Sequence, residues 1–248
     1  MCKVKRLKNR TPVATLVSFP KSGRTWVRVM LDLLDVPVNY NHDGSQYALS
    51  KDFRNLKPTQ GDYQGERIVF LHRDPRDTAV SGFFQKSLRI ANSYEETLST
   101  FLRDPCLGLE KIIVFNLAWI EAGPSMNLPF ASIQYERLRQ SPLAGVDSMV
   151  RWLCPERVFE ADRLQKVVEK SSFSSMQAQE RDGAFEKKYG SILKPTDSTN
   201  QDSFKVRRGV VGGYKDYFSA DDIMFADQLL ARYDYSERLF HFNSAALV

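Results

Sequence analysis

The chain has 248 residues, 42% hydrophobic and 26% charged, a balance that excludes a disordered or low-complexity polymer and suits one large core. Its 35 Lys and Arg against 30 Asp and Glu leave a net charge of +5, which favours anionic ligands without separating a polyphosphorylated nucleotide from nucleic acid. No apolar run reaches the roughly 18 residues of a membrane span, and no signal peptide is visible. Cys2, Cys106 and Cys154 lack close pairing or histidine neighbours at metal-ligand spacing, so they read as reduced thiols of a cytoplasmic protein.

The first 11 residues carry Lys3, Lys5, Arg6, Lys8 and Arg10 but no apolar stripe. They read as a solvated leader, and neither a nucleic-acid nor a membrane partner is expected. Val13 to Phe19 is apolar and β-branched, as in a buried strand. After Pro20 and Gly23, the residues Trp26, Val27, Val29, Met30, Leu33 and Leu34 recur at helical spacing. Between strand and helix lies Pro20-Lys21-Ser22-Gly23-Arg24-Thr25-Trp26. Its N–H groups and hydroxyls can converge on a phosphate at the positive helix end, with Lys21 adding charge. It lacks the two glycines and the Gly-Lys-Ser/Thr ending of a Walker loop, and a tight turn with a surface lysine remains the plain alternative.

A short strand around Val36 to Asn41 leads into Asn41-His42-Asp43-Gly44-Ser45, where His42, taken alone, reads more readily as a surface residue in a turn than as a base. Arg67 to His72 forms the next strand. Asp74 then caps a helix that begins at Pro75 and runs to about Ser87. Arg73 stands at the strand's carboxyl end and Ser81 lies in the following helix, the edge where ligands bind in open parallel sheets. Arg73 can clamp a phosphate and Ser81 can donate a hydroxyl. Pairing of Arg73 with a nearby Asp, and of Arg76 with Asp77, is the structural alternative.

Phe130 to Tyr135 reads as a fourth strand, followed by a helix from Pro142. Further helices are expected over Thr97 to Leu102, Lys111 to Ala122, Asp162 to Lys170 and Asp221 to Tyr233, and Gln177 to Asn200 reads as a long polar surface segment. Strands alternating with helices predict an α/β fold with a parallel sheet covered on both faces. Arg207-Arg208-Gly209-Val210-Val211-Gly212-Gly213-Tyr214-Lys215 combines two anion-binding arginines with turn-forming glycines, and taken alone it suits a solvated basic loop.

Together, PKSGRTW at 20 to 26, Arg73 with Ser81 eight residues on, and RRGVVGGYK at 207 to 215 closely resemble the cytosolic-type sulfotransferases that use 3′-phosphoadenosine 5′-phosphosulfate (PAPS). The resemblance runs in order from about residue 12 to 219. It implies a P-loop-like three-layer α/β fold in a single domain. It also implies that Lys21, Ser22, Gly23 and Thr25 hold the 5′-phosphosulfate, where Arg24 would add a charge of its own, and that Arg73 and Ser81 hold the 3′-phosphate. Trp26 would stack on adenine, with Tyr135, Ser171 and Phe173 beside the base, and Arg207, Arg208 and Gly209 closing over the nucleotide. Trp26 also fits the apolar stripe of its helix.

The same resemblance places the general base after the second strand, an interval that holds His42 and His72, with His72 inside the arginine strand. His42 is then expected to deprotonate an acceptor hydroxyl, with turnover falling as pH drops through the ordinary histidine range, and Lys21 to stabilise the leaving oxygen without a metal ion. The acceptor, a small molecule or a carbohydrate, would be met by 46 to 64, 87 to 100 and 177 to 200, with Phe83, Phe84 and Tyr94 as aromatic candidates. The sequence departs from the family pattern at Arg24 for Thr, at Tyr40 for a Lys two places before the histidine, and at Gly213-Tyr214 for Asp-Trp. Lys205 stands where an aromatic often covers adenine, with Phe204 one place earlier. A nucleotide-binding protein that has lost activity and a P-loop kinase are the rival readings; the kinase lacks its loop ending and its magnesium-holding acid.

Overall fold

The computed structural model describes residues 14–45, 58, 60–63, 66–89, 94–190, 196–197 and 199–243, so the basic leader and Cys2 lie outside the described residues. In chain order the elements are β1 (Thr15–Ser18), α1 (Arg24–Leu33), β2 (Asn39–Asn41), β3 (Ile68–His72), α2 (Pro75–Phe84), α3 (Leu98–Arg103) and α4 (Leu109–Ser125). Then come β4 (Phe130–Gln134), α5 (Tyr135–Gln140), α6 (Pro142–Leu153), α7 (Ala161–Lys170), α8 (Phe173–Arg181), α9 (Glu186–Tyr189), α10 (Ala220–Arg232) and α11 (Tyr235–Asn243). The four strands pair in the order β2-β1-β3-β4, and every pair is parallel.

Alternation along the strands divides the core into two layers, because successive side chains point to opposite faces. Val17, Ile68 and Phe70 face one side, where Ala79 and Val80 of α2, Ile112, Phe115 and Trp119 of α4 and Leu229 of α10 cover them. Leu16, Val69, Leu71 and Ile133 face the other, against Val27, Met30 and Leu31 of α1, Val146 and Met149 of α6 and Leu164 and Val167 of α7. This is the three-layer α/β arrangement expected from the alternation of strands and helices. Among the described residues no helix is long and apolar enough to cross a membrane.

Three local expectations are corrected. The helix from Pro75, capped by Asp74 accepting from the Arg76 N–H at 2.8 Å, ends as α-helix at Phe84, and Gln85–Arg89 continue it with a π-helical turn. The wider turn sets Gln85 and Arg89 into the wall of the cleft described next. Tyr135 opens α5 instead of closing β4. Residues 177 to 200 do not form one long surface segment: α8, capped by Ser172, runs through Arg181, α9 follows, and Glu180 is 1% exposed. Its polar side chains are spent on local contacts, such as Gln179 with Ser175, and on the ion pair of Glu180 with Arg89. Residues 191–195 and 198 of that stretch lie outside the described residues.

Candidate active site

Each strand leads at its carboxyl end to one of the expected site residues: β1 to Lys21, β2 to His42, β3 to Arg73 and β4 to Tyr135. All four line one cleft of about 330 Å³, together with Gly23, Arg24, Thr25, Trp26, Ser81, Ser171, Phe173, Arg207, Arg208 and Gly209. Ser22 is the one expected site residue that does not line it. Its side chain is fully buried and its Oγ has no hydrogen-bond partner among the described residues.

The loop after β1 turns through two left-handed residues, Lys21 at φ 74° and Gly23 at φ 98°. Such a conformation in a lysine is strained and is characteristic of functional turns. Gly23 is required twice over, since a Cβ there would also stand 2.5 Å from Cδ2 of Tyr135. Gly23 is the N-cap of α1; the Trp26 N–H donates to its carbonyl at 2.9 Å, which leaves the Arg24 and Thr25 amides with no carbonyl within the helix to bind. They face the cleft end of a ten-residue helix, where an anion is favoured.

Arg73 is 9% exposed and lies over the Tyr135 ring at 4.4 Å. Its Nη1 is 3.3 Å from the Lys21 carbonyl and 3.5 Å from Ser81 Oγ, and its Nη2 is 3.3 Å from the Val210 carbonyl. It thereby joins the first loop, α2 and the last loop. The expected pairing of Arg76 with Asp77 does not form. Arg76 binds Asp74 at 2.8 Å and Asp227 at 3.6 Å, while Asp77 lies 3.6 Å from Arg73. Adjacent helical residues point to different faces, whereas a spacing of four returns to the same one.

In the last loop both arginines have acidic neighbours. Arg207 meets Asp202 at 3.0 Å and lies over the Phe84 ring at 4.5 Å, and Arg208 meets Asp216 at 2.6 Å. Gly209, at φ 64°, brings the backbone against Phe173, whose Cδ2 would be 2.8 Å from any Cβ placed there. Ser171 donates its hydroxyl to the Val167 carbonyl at 2.7 Å at the end of α7, so that proton is already used. Trp26 serves both of its readings. It packs into the core of the α1 layer, and it lines the cleft edge-on to Tyr135, with ring centroids 5.8 Å apart.

His42 is held more firmly than a turn at the surface would be. The neighbouring Asp43 accepts from Trp119 Nε1 and Tyr63 Oη, each at 3.2 Å, and Ser45 Oγ donates to the His42 carbonyl at 2.5 Å. Nδ1 lies 2.8 Å from the Ser18 carbonyl, which can only accept. Nδ1 therefore carries the proton, and the Nε2 lone pair is left for the cleft. Burial first, then the charge of Arg24, push the His42 pKa down to about 3, against the pull of the Ser18 carbonyl. Burial also holds Lys21 well below the ordinary lysine value, with Lys205, Arg89 and Arg207 adding repulsion. Burial and Arg28 lower Arg24 to about 10. The cleft is thus over-supplied with positive charge, a condition that a bound polyanion relieves.

Sequence reasoning missed Gln85 and the direction of Lys205, both of which line the cleft, and Glu180, which binds the backbone of residues 205 and 206. Lys21 and Lys205 both donate to Gln85 Oε1, at 3.4 and 3.1 Å. Only the charge of Lys205 marked that position in the sequence, and nothing local marked the other two. Of the aromatic candidates for the acceptor, Phe84 lines the cleft, while Phe83 and Tyr94 pack around Phe101 in the core. Residues 46–57 and 90–93 of the expected acceptor segments lie outside the described residues. No three His, Cys, Asp or Glu side chains are grouped to hold a metal ion among the described residues.

The family described as "Sulfotransferase domain" matches residues 63–233. Human sulfotransferase 2A1 is 25% identical over 167 residues, which cover 66% of this chain and 54% of the human protein, so the match spans about half of that relative. A 3-beta-hydroxysteroid sulfotransferase from Cavia porcellus is 23% identical over 235 residues, 82% of this chain and 77% of the relative. Mouse sulfotransferase SULT7A1, solved complexed with PAP, superposes with a TM-score of 0.64 at 18% identity, over 90% of this chain and 85% of the mouse one. Retinol dehydratase, solved in a complex with retinol and PAP, gives 0.61 at 15% identity, over 91% and 82%.

Proposed function

Because the chain belongs to the sulfotransferase domain family, we propose that it moves a sulfuryl group from PAPS to an acceptor hydroxyl, on a small molecule or a carbohydrate, with His42 as general base. The observation that carries this reading is the set of groups at the four strand ends. An anion-binding loop, an arginine with a hydroxyl beside it and a histidine with a free Nε2 lone pair face one cleft. The buried Arg73 Nε and Arg207 Nε, on residues that line the cleft and without hydrogen-bond partners among the described residues, fit a ligand rich in acceptor oxygens.

When bound, the phosphosulfate supplies an electrophilic sulfur on a stable leaving group. The loop amides and Lys21 hold its 5′ end, and Arg73 with Ser81 holds the 3′-phosphate, at the cost of loosening Arg73 from Asp77. Trp26, Tyr135 and Phe173 flank the base, over the turn made by Gly209. His42 Nε2 takes the acceptor's proton, and Lys21 stabilises the charge that develops on the departing oxygen, a role for which the reading calls on no metal ion. A reducing, cytoplasmic setting belongs to the same reading.

Calorimetry with 3′-phosphoadenosine 5′-phosphate (PAP) and 5′-AMP tests the nucleotide assignment. The charge-assisted contacts of Arg73 and Ser81 should make the bisphosphate bind tighter by roughly 1.5 to 3 kcal/mol. Equal affinities would overturn it. A screen of hydroxyl-bearing acceptors with sulfur-labelled PAPS then tests transfer itself.

A further inference from the structure

Lys205 occupies a place that its position in the sequence does not suggest. It stands where the family often has an aromatic over the adenine, yet its Nζ reaches Gln85 Oε1, which it shares with Lys21 Nζ. Its backbone is fixed there. The Lys205 N–H donates to Glu180 Oε1 at 2.5 Å and the Val206 N–H to Glu180 Oε2 at 2.9 Å. That carboxylate is buried and already pairs with Arg89 at 3.4 Å. Two backbone bonds on one buried carboxylate fix the direction of the chain at residue 205, and the side chain points to Gln85.

The Lys205 ammonium forms no ion pair among the described residues and donates to a neutral amide oxygen. Holding a half-buried cation in this way is costly unless an anion completes the site. Burial, then Arg89 and Arg24, lower its pKa to about 8, the response of an ammonium crowded by like charges. Lys205 and Arg24 are also among the charges that act on His42, so Lys205 stands within electrostatic reach of that ring.

Building on the sulfuryl-transfer reading, we propose that Lys205 is a further residue of the transfer site, whose ammonium binds the oxygens of the migrating sulfuryl group across from Lys21. During transfer the sulfur gains a bond to the acceptor oxygen and loses its bond to the bridging oxygen of the 5′-phosphate. The acceptor proton goes to His42 Nε2 and the electron pair leaves with the bisphosphate. Lys205 makes and breaks no bond. Together with Lys21 it keeps the three outer oxygens of the sulfur aligned while negative charge moves from acceptor to leaving group.

The test compares PAPS with PAP on Lys205→Met and Lys205→Arg, by competition calorimetry and by single-turnover transfer. Lys205→Met should weaken PAPS binding about tenfold or more, the size of one charge-assisted contact, and leave PAP within about threefold, which also shows that the variant is folded. Its transfer rate should fall by about 10²-fold while Lys205→Arg keeps most of both quantities. Equal weakening of the two nucleotides would assign Lys205 to the nucleotide body and overturn the proposal, as would a Lys205→Met protein with unchanged PAPS affinity. If the wild type bound PAP no better than 5′-AMP, the nucleotide reading itself would fall, and this inference with it.

Discussion

Asp77 Oδ2 accepts the backbone N–H of Gly212 at 2.8 Å, a contact that joins the first turns of α2 to a loop 135 residues further along the chain. Oδ1 accepts the Tyr214 N–H at 2.9 Å, and Arg73 Nη2 stands 3.6 Å from Oδ2. One buried side chain therefore fixes the closing loop to the arginine assigned to the 3′-phosphate. When a phosphate engages Arg73, Asp77 keeps its two amide donors and remains satisfied.

Replacing Asp77 with Asn keeps the shape but puts an NH2 group against a backbone N–H, so one of the two loop contacts is lost and a donor is left facing a donor. The expected outcome is a loss of PAP affinity of about tenfold, near the cost of one unsatisfied buried group. Binding of 5′-AMP should change much less. Calorimetry on the folded variant checks this, together with faster amide hydrogen exchange at residues 212 to 214. Unchanged exchange at those amides would show that the loop is held by other contacts.

The glycines of the closing loop separate backbone strain from side-chain contact. Gly209 and Gly212 both have left-handed backbone, φ 64° and 73°, but a Cβ on Gly209 would meet Phe173 at 2.8 Å, whereas one on Gly212 meets nothing within 4 Å. Gly212→Ala should lower stability by about 1 kcal/mol through strain alone. Gly209→Ala should cost at least as much, and by displacing Phe173 it should also weaken PAP binding by about fivefold or more, near the low end of a buried-contact loss. Melting curves read the first effect and calorimetry the second.

The first loop, Arg73 with Ser81, and the turn holding His42 were legible in the sequence because each is local: a strand end, a breaker and a helix start written in adjacent residues. The parallel sheet was legible for the same reason, since buried strands alternated with amphipathic helices. What could not be read depends on contacts distant in sequence. Asp77 looked like the partner of its neighbour Arg76 until Gly212 and Tyr214 came into reach. Glu180 lay in a polar stretch with no apolar period to mark it as buried, and only its bonds to residues 205 and 206 and its pairing with Arg89 explain its burial. Lys205 was noted as a departure from an aromatic, but its direction is set by Glu180 and Gln85, which no local pattern links to it.

His72, the second histidine between the first loop and Arg73, has a structural part. It is 1% exposed, stacked on Phe70 with centroids 5.5 Å apart, and edge-on to Phe242 at 5.8 Å. Burial, then Arg137, push its pKa down to about 3, below the unfolded value of 6.5. The folded protein therefore keeps this ring neutral while the unfolded chain takes up a proton. Its contribution is intact above pH 6.5 and is lost as pH falls toward 3, at about 1.4 kcal/mol per unit. His72→Phe, which also removes an unpartnered Nε2, should be at least as stable as the wild type at pH 7 and gain about a further 2 to 3 kcal/mol over it at pH 4.5. Urea titrations at the two pH values make the comparison, and a constant difference between them would rule out the histidine as its source.

His42 separates an enzyme from a binding protein with the same cleft. With Nδ1 bound to the Ser18 carbonyl, only Nε2 can accept a proton, and it can do so while the ring is neutral. Protonation abolishes that capacity, so activity falls as pH decreases. The pKa of about 3 moves the fall in kcat/KM well below the ordinary histidine range expected from the sequence. A bound polyanion offsets the charges of Arg24 and Lys205, so the corresponding fall in kcat should lie at higher pH than the fall in kcat/KM. His42→Ala should slow transfer by about 10²- to 10⁴-fold and leave PAP affinity within about threefold, because the nucleotide contacts rest on the first loop and Arg73. His42→Gln, which can still bond to the Ser18 carbonyl but offers no basic nitrogen, should be as slow as the alanine variant. Recovery of most of the activity by the glutamine would mean that His42 acts by shape alone, and near-normal transfer by a folded His42→Ala protein would remove it from the proton path.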